Sequence, residues 1–252
     1  MRFHITFLLA LILFACRPAP GKKEVKDPHK LPAKVSLVVL GSVQDAGAPH
    51  IGCQRDCCKR LFDQPDPTLQ VVSLGIVDQK HQQKYLFEAT PDMPRQIRHL
   101  HSWLPKENEE LPDGIFLTHA HIGHYTGLMY LGKEAINASS VPVYAMPRMK
   151  KYLETSGPWS QLVSLKNIAL QPIDSGATIQ LNPSLQVTPF CVPHRDEYSE
   201  TVGYHIRGPE KAALFIPDID KWEKWDRSIE DMIAKVAYAF LDATFFDVEE
   251  IG

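Results

Sequence analysis

Three histidines fall within six residues in Thr118-His119-Ala120-His121-Ile122-Gly123-His124, a spacing of H-x-H-x-x-H. A short apolar run, Gly114-Ile-Phe-Leu-Thr118, leads into them. His119 and His121 alternate as an extended segment would place them, on one side of the chain. His124 follows after a turn. Imidazoles converging at a strand end are borderline ligands suited to Zn²⁺ or Fe, so the segment predicts a metal site. Three unrelated surface histidines are the alternative reading.

A second group is built from sulfur. His50-Ile-Gly-Cys53-Gln-Arg-Asp-Cys57-Cys58 packs three thiols and one imidazole into nine residues. Cys53, Cys57 and Cys58, with His50 as a fourth member, predict a structural zinc site. The competing readings are a disulfide from one of the three to Cys191, or free thiols. Cys191 by itself is expected to be a small buried apolar residue.

The elements that must position these residues follow from apolar patterning. Val35 to Gly41, Val71 to Val77, Tyr85 to Ala89 and Gly114 to Thr118 read as strands. So do Val141 to Met146, Leu185 to Val192, Thr201 to Arg207, Lys211 to Ile216 and Tyr238 to Leu241. Helical spacing predicts helices over Pro91 to Leu104, residues 125–136, Arg148 to Glu154 and Lys221 to Lys235. Strands alternating with helices predict a layered α/β domain. His99 and His101 fall in the first of these helices as expected surface residues.

The chain has 252 residues, 44% of them hydrophobic and 23% charged, an ordinary globular composition. Its formal charge is −3, so there is no basic excess for nucleic-acid binding. Met1-Arg2 precedes an apolar stretch from Ile5 to Phe14, too short to span a bilayer as a helix but suited to a signal peptide. It ends in Leu13-Phe14-Ala15-Cys16, which resembles a bacterial lipoprotein lipobox. The resemblance implies cleavage before Cys16 and lipid attachment to its thiol. Residues 1–15 are then a lipoprotein signal peptide. Residues 16–34, rich in Pro and Lys, form a flexible tether, and residues 35–252 form the domain. The expected location is the bacterial cell envelope, exported and held at the membrane by the N-terminal lipid. An ordinary signal peptide, with Cys16 incidental, is the alternative.

The histidine segment resembles the H-x-H-x-D-H signature of the metallo-β-lactamase fold. Tyr85-Leu-Phe-Glu88-Ala-Thr-Pro-Asp92 resembles the strand whose terminal acid supports the metal loop. Val192-Pro-His194 resembles the next histidine ligand, and Phe215-Ile-Pro-Asp218-Ile-Asp220 the strand whose terminal Asp bridges two metals. Gln44-Asp-Ala-Gly, Val192-Pro-His-Arg-Asp-Glu and Leu241-Asp-Ala-Thr-Phe-Phe are most similar to the branch containing pyrroloquinoline quinone biosynthesis protein B. The implied fold is an αββα sandwich, C-terminally short and lacking its last strand and helix. The resemblance implies that His119, His121 and His194 hold one metal with Asp218 beside it, and that His124 and Asp218 remain of a second site. It also implies a Cys-rich accessory zinc, as in relatives that include cyclic-phosphate diesterases.

Two departures accompany the match. Gly123 stands where the family has Asp, and Glu88 replaces an Asp. The expectation is one firmly bound catalytic Zn²⁺ with a weak or absent second ion, Fe being the alternative metal. A three-His site with an open position is the pattern of catalytic zinc. Asp218 or Asp220 is placed to orient water or take its proton, with His194 and Asp218 as the catalytic residues. The reaction expected is hydrolysis of a small-molecule ester, lactone or phosphodiester. The alternatives are non-hydrolytic metal chemistry and a degenerate metal-binding lipoprotein without turnover.

Overall fold

The computed structural model describes residues 35–107 and 109–244. The signal-peptide, tether and Cys16 expectations lie outside the described residues, as does the chain beyond residue 244. Two sheets face each other, with helices outside the first.

The first sheet is β1 (Val35–Gly41), β2 (Ser73–Asp78), β3 (Gln83–Phe87), β4 (Gly114–Phe116), β5 (Val141–Ala145) and β6 (Ile168–Pro172), in that order. The first three pair antiparallel through short connections. From β3 onward the strands are parallel, which requires crossovers. Helix α2 (Met93–Trp103) makes the first crossover, and α3 (Ile122–Tyr125) with a 3₁₀ turn to Leu131 makes the second. Helices α4 (Pro147–Thr155) and α5 (Trp159–Ser164) make the third. Helix α2 buries Met93, Ile97 and Leu100 against the sheet, the face its spacing predicts. The second sheet runs β11-β10-β9-β8-β7: β7 (Ile179–Asn182), β8 (Leu185–Cys191), β9 (Val202–Arg207), β10 (Ala212–Ile216) and β11 (Tyr238–Leu241). Only its β10–β11 pair is parallel.

Aromatic residues join the sheets. Phe87 stacks on Phe116 at 4.8 Å, and Tyr204 and Phe215 from the second sheet meet Phe87 edge-on at 5.3 and 6.0 Å. Each of Phe87, Phe116 and Phe215 is the last or next-to-last residue of its strand. The packed core therefore fixes where three strand ends emerge, and the chemistry begins there. The hydroxyl of Tyr204 donates to the carbonyl of Leu117, holding the backbone that leads into His119.

Several local expectations need correction. The helix expected over 125–136 is one α-turn followed by a 3₁₀ turn. Gly127 is the reason the chain passes so close there: a Cβ on it would lie 2.2 Å from the carbonyl oxygen of Thr90. The helix expected over Lys221 to Lys235 is broken into a 3₁₀ turn (Trp222–Lys224) and α6 (Ile229–Ile233). Ser228 caps α6 by accepting from the N–H of Asp231, so a new helix starts where the periodicity suggested continuity. Helices α1 (Asp56–Asp63) and α5 and strands β6 and β7 were not anticipated. They are short, with little periodic signal. Among the described residues no helix is long and apolar enough to cross a membrane.

Candidate metal centre

The histidine motif begins at His119, three residues after β4 ends, and His121 caps the start of α3 in extended conformation. His194 comes from the loop after β8 and Asp218 from the loop after β10. These loops converge because their strands are held by the aromatic core. The ligand atoms of His119, His121, His194 and Asp218 all lie within 4.8 Å of one another. Oδ2 of Asp218 is 3.1 Å from Nε2 of His194, 3.3 Å from Nε2 of His119 and 3.5 Å from Nε2 of His124. Nδ1 of His121 lies 4.0 Å from the same oxygen and 3.0 Å from Nε2 of His194. Thus the five residues expected from the sequence meet, with His124 at the flank of the four-donor set.

Three imidazoles are held from behind. Nδ1 of His119 pairs with Oγ1 of Thr118 at 2.9 Å, and Nδ1 of His124 donates to Oε2 of Glu88 at 3.0 Å. Nε2 of His121 donates to Oε2 of Glu197 at 2.9 Å. Outer partners of this kind fix ring orientation in metal sites. Glu88 is fully buried and has φ +77°, so the chain turns sharply at the end of β3 to deliver its carboxylate. The loop carrying Glu197 is itself anchored. Nη2 of Arg148 donates to the carbonyl of Asp196 (2.7 Å), and the backbone N–H of Arg148 donates to the carboxylate of Glu200. Oγ of Ser199 accepts from the N–H of Ala120 at 2.8 Å and ties that loop to the histidine motif. Glu88 is the acid that the resemblance implied would support the metal loop, and Thr118 is the chain neighbour of His119. The roles of Glu197, Arg148 and Ser199 were not anticipated, because each joins residues distant in the chain.

The electrostatics fit a cation. Burial keeps His119 neutral, its pKa pushed down to about 3. Burial also pushes His124 down, but the charge of Glu88 and the nearness of Asp218 outweigh it, and its pKa is pushed up to about 10. Desolvation raises Asp218, yet the imidazoles of His119, His124 and His194 outweigh it and hold the carboxyl well below the usual range. The inward Nε2 atoms of His119 and His124 are buried without a well-aligned hydrogen bond. Orphaned buried nitrogens are costly. A metal ion is the partner that nitrogens so grouped accept. The edge of a tetrahedron of zinc ligands is about 3.3 Å, close to the 3.1 and 3.3 Å that separate Oδ2 of Asp218 from Nε2 of His194 and His119, while Nδ1 of His121 lies farther out at 4.0 Å.

Other expected residues are placed elsewhere. Asp220 is paired with Lys224 and lies outside the four-donor set. Cys53, Cys57 and Cys58 do form a cluster, with Cys57 and Cys58 in the first turn of α1. Donation from Cys58 holds the Cys53 thiol below its ordinary value. His50 is not among the donors gathered there; its Nδ1 lies against the carbonyl of Ile51 at 3.0 Å. All four described cysteines are free, so no disulfide to Cys191 forms, and Cys191 is exposed where burial was expected. His101 is only partly exposed and lies 3.0 Å from the buried Nζ of Lys84.

A family profile described as a beta-lactamase superfamily domain matches residues 83–252. The chain belongs to the beta-lactamase superfamily. It is a metallo-hydrolase-type enzyme of that superfamily, and His119, His121, His194 and Asp218 are grouped closely enough to hold a metal ion. Zn²⁺-bound PqqB from Methylobacterium extorquens shares the fold: TM-score 0.62 at 23% identity, covering 79% of this chain and 68% of that one. A diphosphatase from the PhnP family has a TM-score of 0.52 at 22% identity, covering 75% of this chain and 67% of that one. Among curated proteins none matches the chain. The superfamily membership and the two facing sheets agree with the expected αββα sandwich.

Proposed function

We propose that this protein is a zinc-dependent hydrolase acting on a small ester, lactone or phosphodiester. The observation that carries the reading is the convergence of imidazole nitrogens on Oδ2 of Asp218, at 3.1 Å from His194 and 3.3 Å from His119. His119, His121 and His194 would hold the ion, with Asp218 completing the set. Three nitrogens and one oxygen suit zinc better than the harder divalent ions. When bound, zinc supplies Lewis acidity, lowering the pKa of water and polarising a carbonyl or phosphoryl oxygen.

The chain's own residues do the rest. Asp218, held ionised by the surrounding imidazoles, accepts a hydrogen bond from water at a carboxylate oxygen and so orients it. Glu88 and Glu197 hold the rings of His124 and His121 in place through their outward nitrogens. His194, Asp218 and Arg195 line one cavity of about 430 Å³. The guanidinium of Arg195 there offers positive charge to an anionic substrate.

The same reading covers the rest of the chain. Cys53, Cys57 and Cys58 would hold a structural zinc, a role that the start of α1 favours by stabilising thiolates. The lipobox-like ending at Cys16 would anchor the enzyme to the cell envelope. Labelling with radioactive palmitate, lost in Cys16→Ala, tests the anchor.

The function is tested by metal content and hydrolysis of an ester, lactone and phosphodiester panel by the wild type beside His119→Ala. The expected result is loss of one metal ion and of turnover together. If the two proteins behave alike, the reading fails. Tight metal without turnover would point to a binding protein instead.

A further inference from the structure

The space beside Gly123 is filled by another residue. A Cβ on Gly123 would lie 2.4 Å from the carbonyl oxygen of Asp45, 2.5 Å from its Cβ and 2.9 Å from its carbonyl carbon. Real side chains do not pack at such distances. The loop after β1 therefore occupies the position where a motif aspartate would begin, and an aspartate is what it brings. The two Cβ positions are so close that a carboxylate rooted at residue 45 starts from nearly the same point as one rooted at residue 123.

Asp45 lines the cavity of about 430 Å³ together with His124 and Asp218. Two other carboxylates of that cavity are committed: Asp220 to Lys224, and Asp242 to the N–H groups of Ile219 and Thr244. Among the described residues no side chain pairs with the carboxylate of Asp45. A second observation points to a ligand: His124 is almost fully buried, and its Nε2, directed toward Asp218, has no hydrogen-bond partner.

We propose that Asp45 supplies the carboxylate absent at position 123 and forms a second cation position with His124 and Asp218. The proposal rests on the reading of the neighbouring His119, His121, His194 and Asp218 as a metal site. It replaces the expectation of a residual two-ligand site with one of three protein ligands. One imidazole and two carboxylates make a harder set than the three imidazoles next to it, so this position accepts Mn²⁺ more readily than the first. The carboxylate absent at position 123 is thus supplied from the loop after β1.

The test uses the full chain, stripped of metal, reloaded with Zn²⁺ and titrated with Mn²⁺. Metal per chain is measured by mass spectrometry and bound Mn²⁺ by electron paramagnetic resonance. The wild type should hold one more ion than Asp45→Asn, and Asp45→Asn should bind Mn²⁺ at least about 10-fold more weakly. Gly123→Ala should lose the same ion, because its Cβ displaces Asp45. Matching melting temperatures of the metal-free proteins show that folding is intact. Full Mn²⁺ affinity in either variant overturns the proposal. His119→Ala separates the two ideas: if it retains every ion of the wild type, the underlying metal-site reading fails instead.

Discussion

Nδ1 of His124 and Oε2 of Glu88 lie 3.0 Å apart where neither side chain reaches solvent. The pair links the end of β3 to the histidine motif, and the proton it shares is held by two carboxylates, Glu88 and Asp218. Removing one partner of such a pair strands the other charge in a dry site. Glu88→Ala should therefore destabilise the metal-free protein by about 3–5 kcal/mol. Glu88→Gln keeps an acceptor for Nδ1 and should cost less. Urea unfolding of both variants checks this, and equal losses would remove the pairing argument.

Glu197 differs because its side chain is about half exposed. Its bond to Nε2 of His121 orients a ring without supporting the core. Glu197→Gln should leave the unfolding midpoint nearly unchanged, since exposed pairs contribute little. It should weaken zinc binding about 10-fold, because the ring loses its charged outer partner. Competition with a coloured chelator measures the second effect.

Asp78 on β2 joins the two sheets. It accepts from Nδ2 of Asn182 on β7 at 2.9 Å and from the N–H and Nδ1 of His81. Burial pushes its carboxyl up, but these donors outweigh burial and hold it below the usual range. The folded state then binds the proton less readily than the unfolded state. The resulting stabilisation is fully present above the unfolded value of about 4 and is lost as pH falls through the lower folded value. Asp78→Asn should flatten the fall in unfolding free energy below about pH 4. It should also cost about 1–3 kcal/mol at neutral pH. Unfolding curves across acid pH test both signs.

For the sulfur cluster, Cys53→Ser should remove one zinc ion per chain and lower the melting temperature. Zinc content unchanged by the substitution, with the remaining thiols freely titratable, would show that the three cysteines hold no metal.

Much of this architecture is legible locally. Val35 to Gly41 is apolar and β-branched, and it forms β1 over those same residues. The apolar face of α2 follows from Met93, Ile97 and Leu100 at helical spacing. The H-x-H-x-x-H spacing keeps three imidazoles within one short segment between β4 and α3, so their nearness is local. Where the pattern is weak, it misleads. Strands β6 and β7 are short and largely part-exposed, and the break at Ser228 depends on a cap that periodicity does not register.

The tertiary structure decides which distant loops meet. His194 and Asp218 reach the motif because Phe87, Phe116, Tyr204 and Phe215 lock two sheets together beneath it. Glu197 reaches His121 through a loop held by Arg148 and Ser199. Gly123 looks like a missing ligand in one dimension. In three dimensions its lack of a side chain is what admits Asp45. Sequence periodicity records which face of an element is apolar, and so it predicts strands and helices. It carries no record of which loops the packed core brings within 3 Å of each other, and the chemistry of this site depends on that.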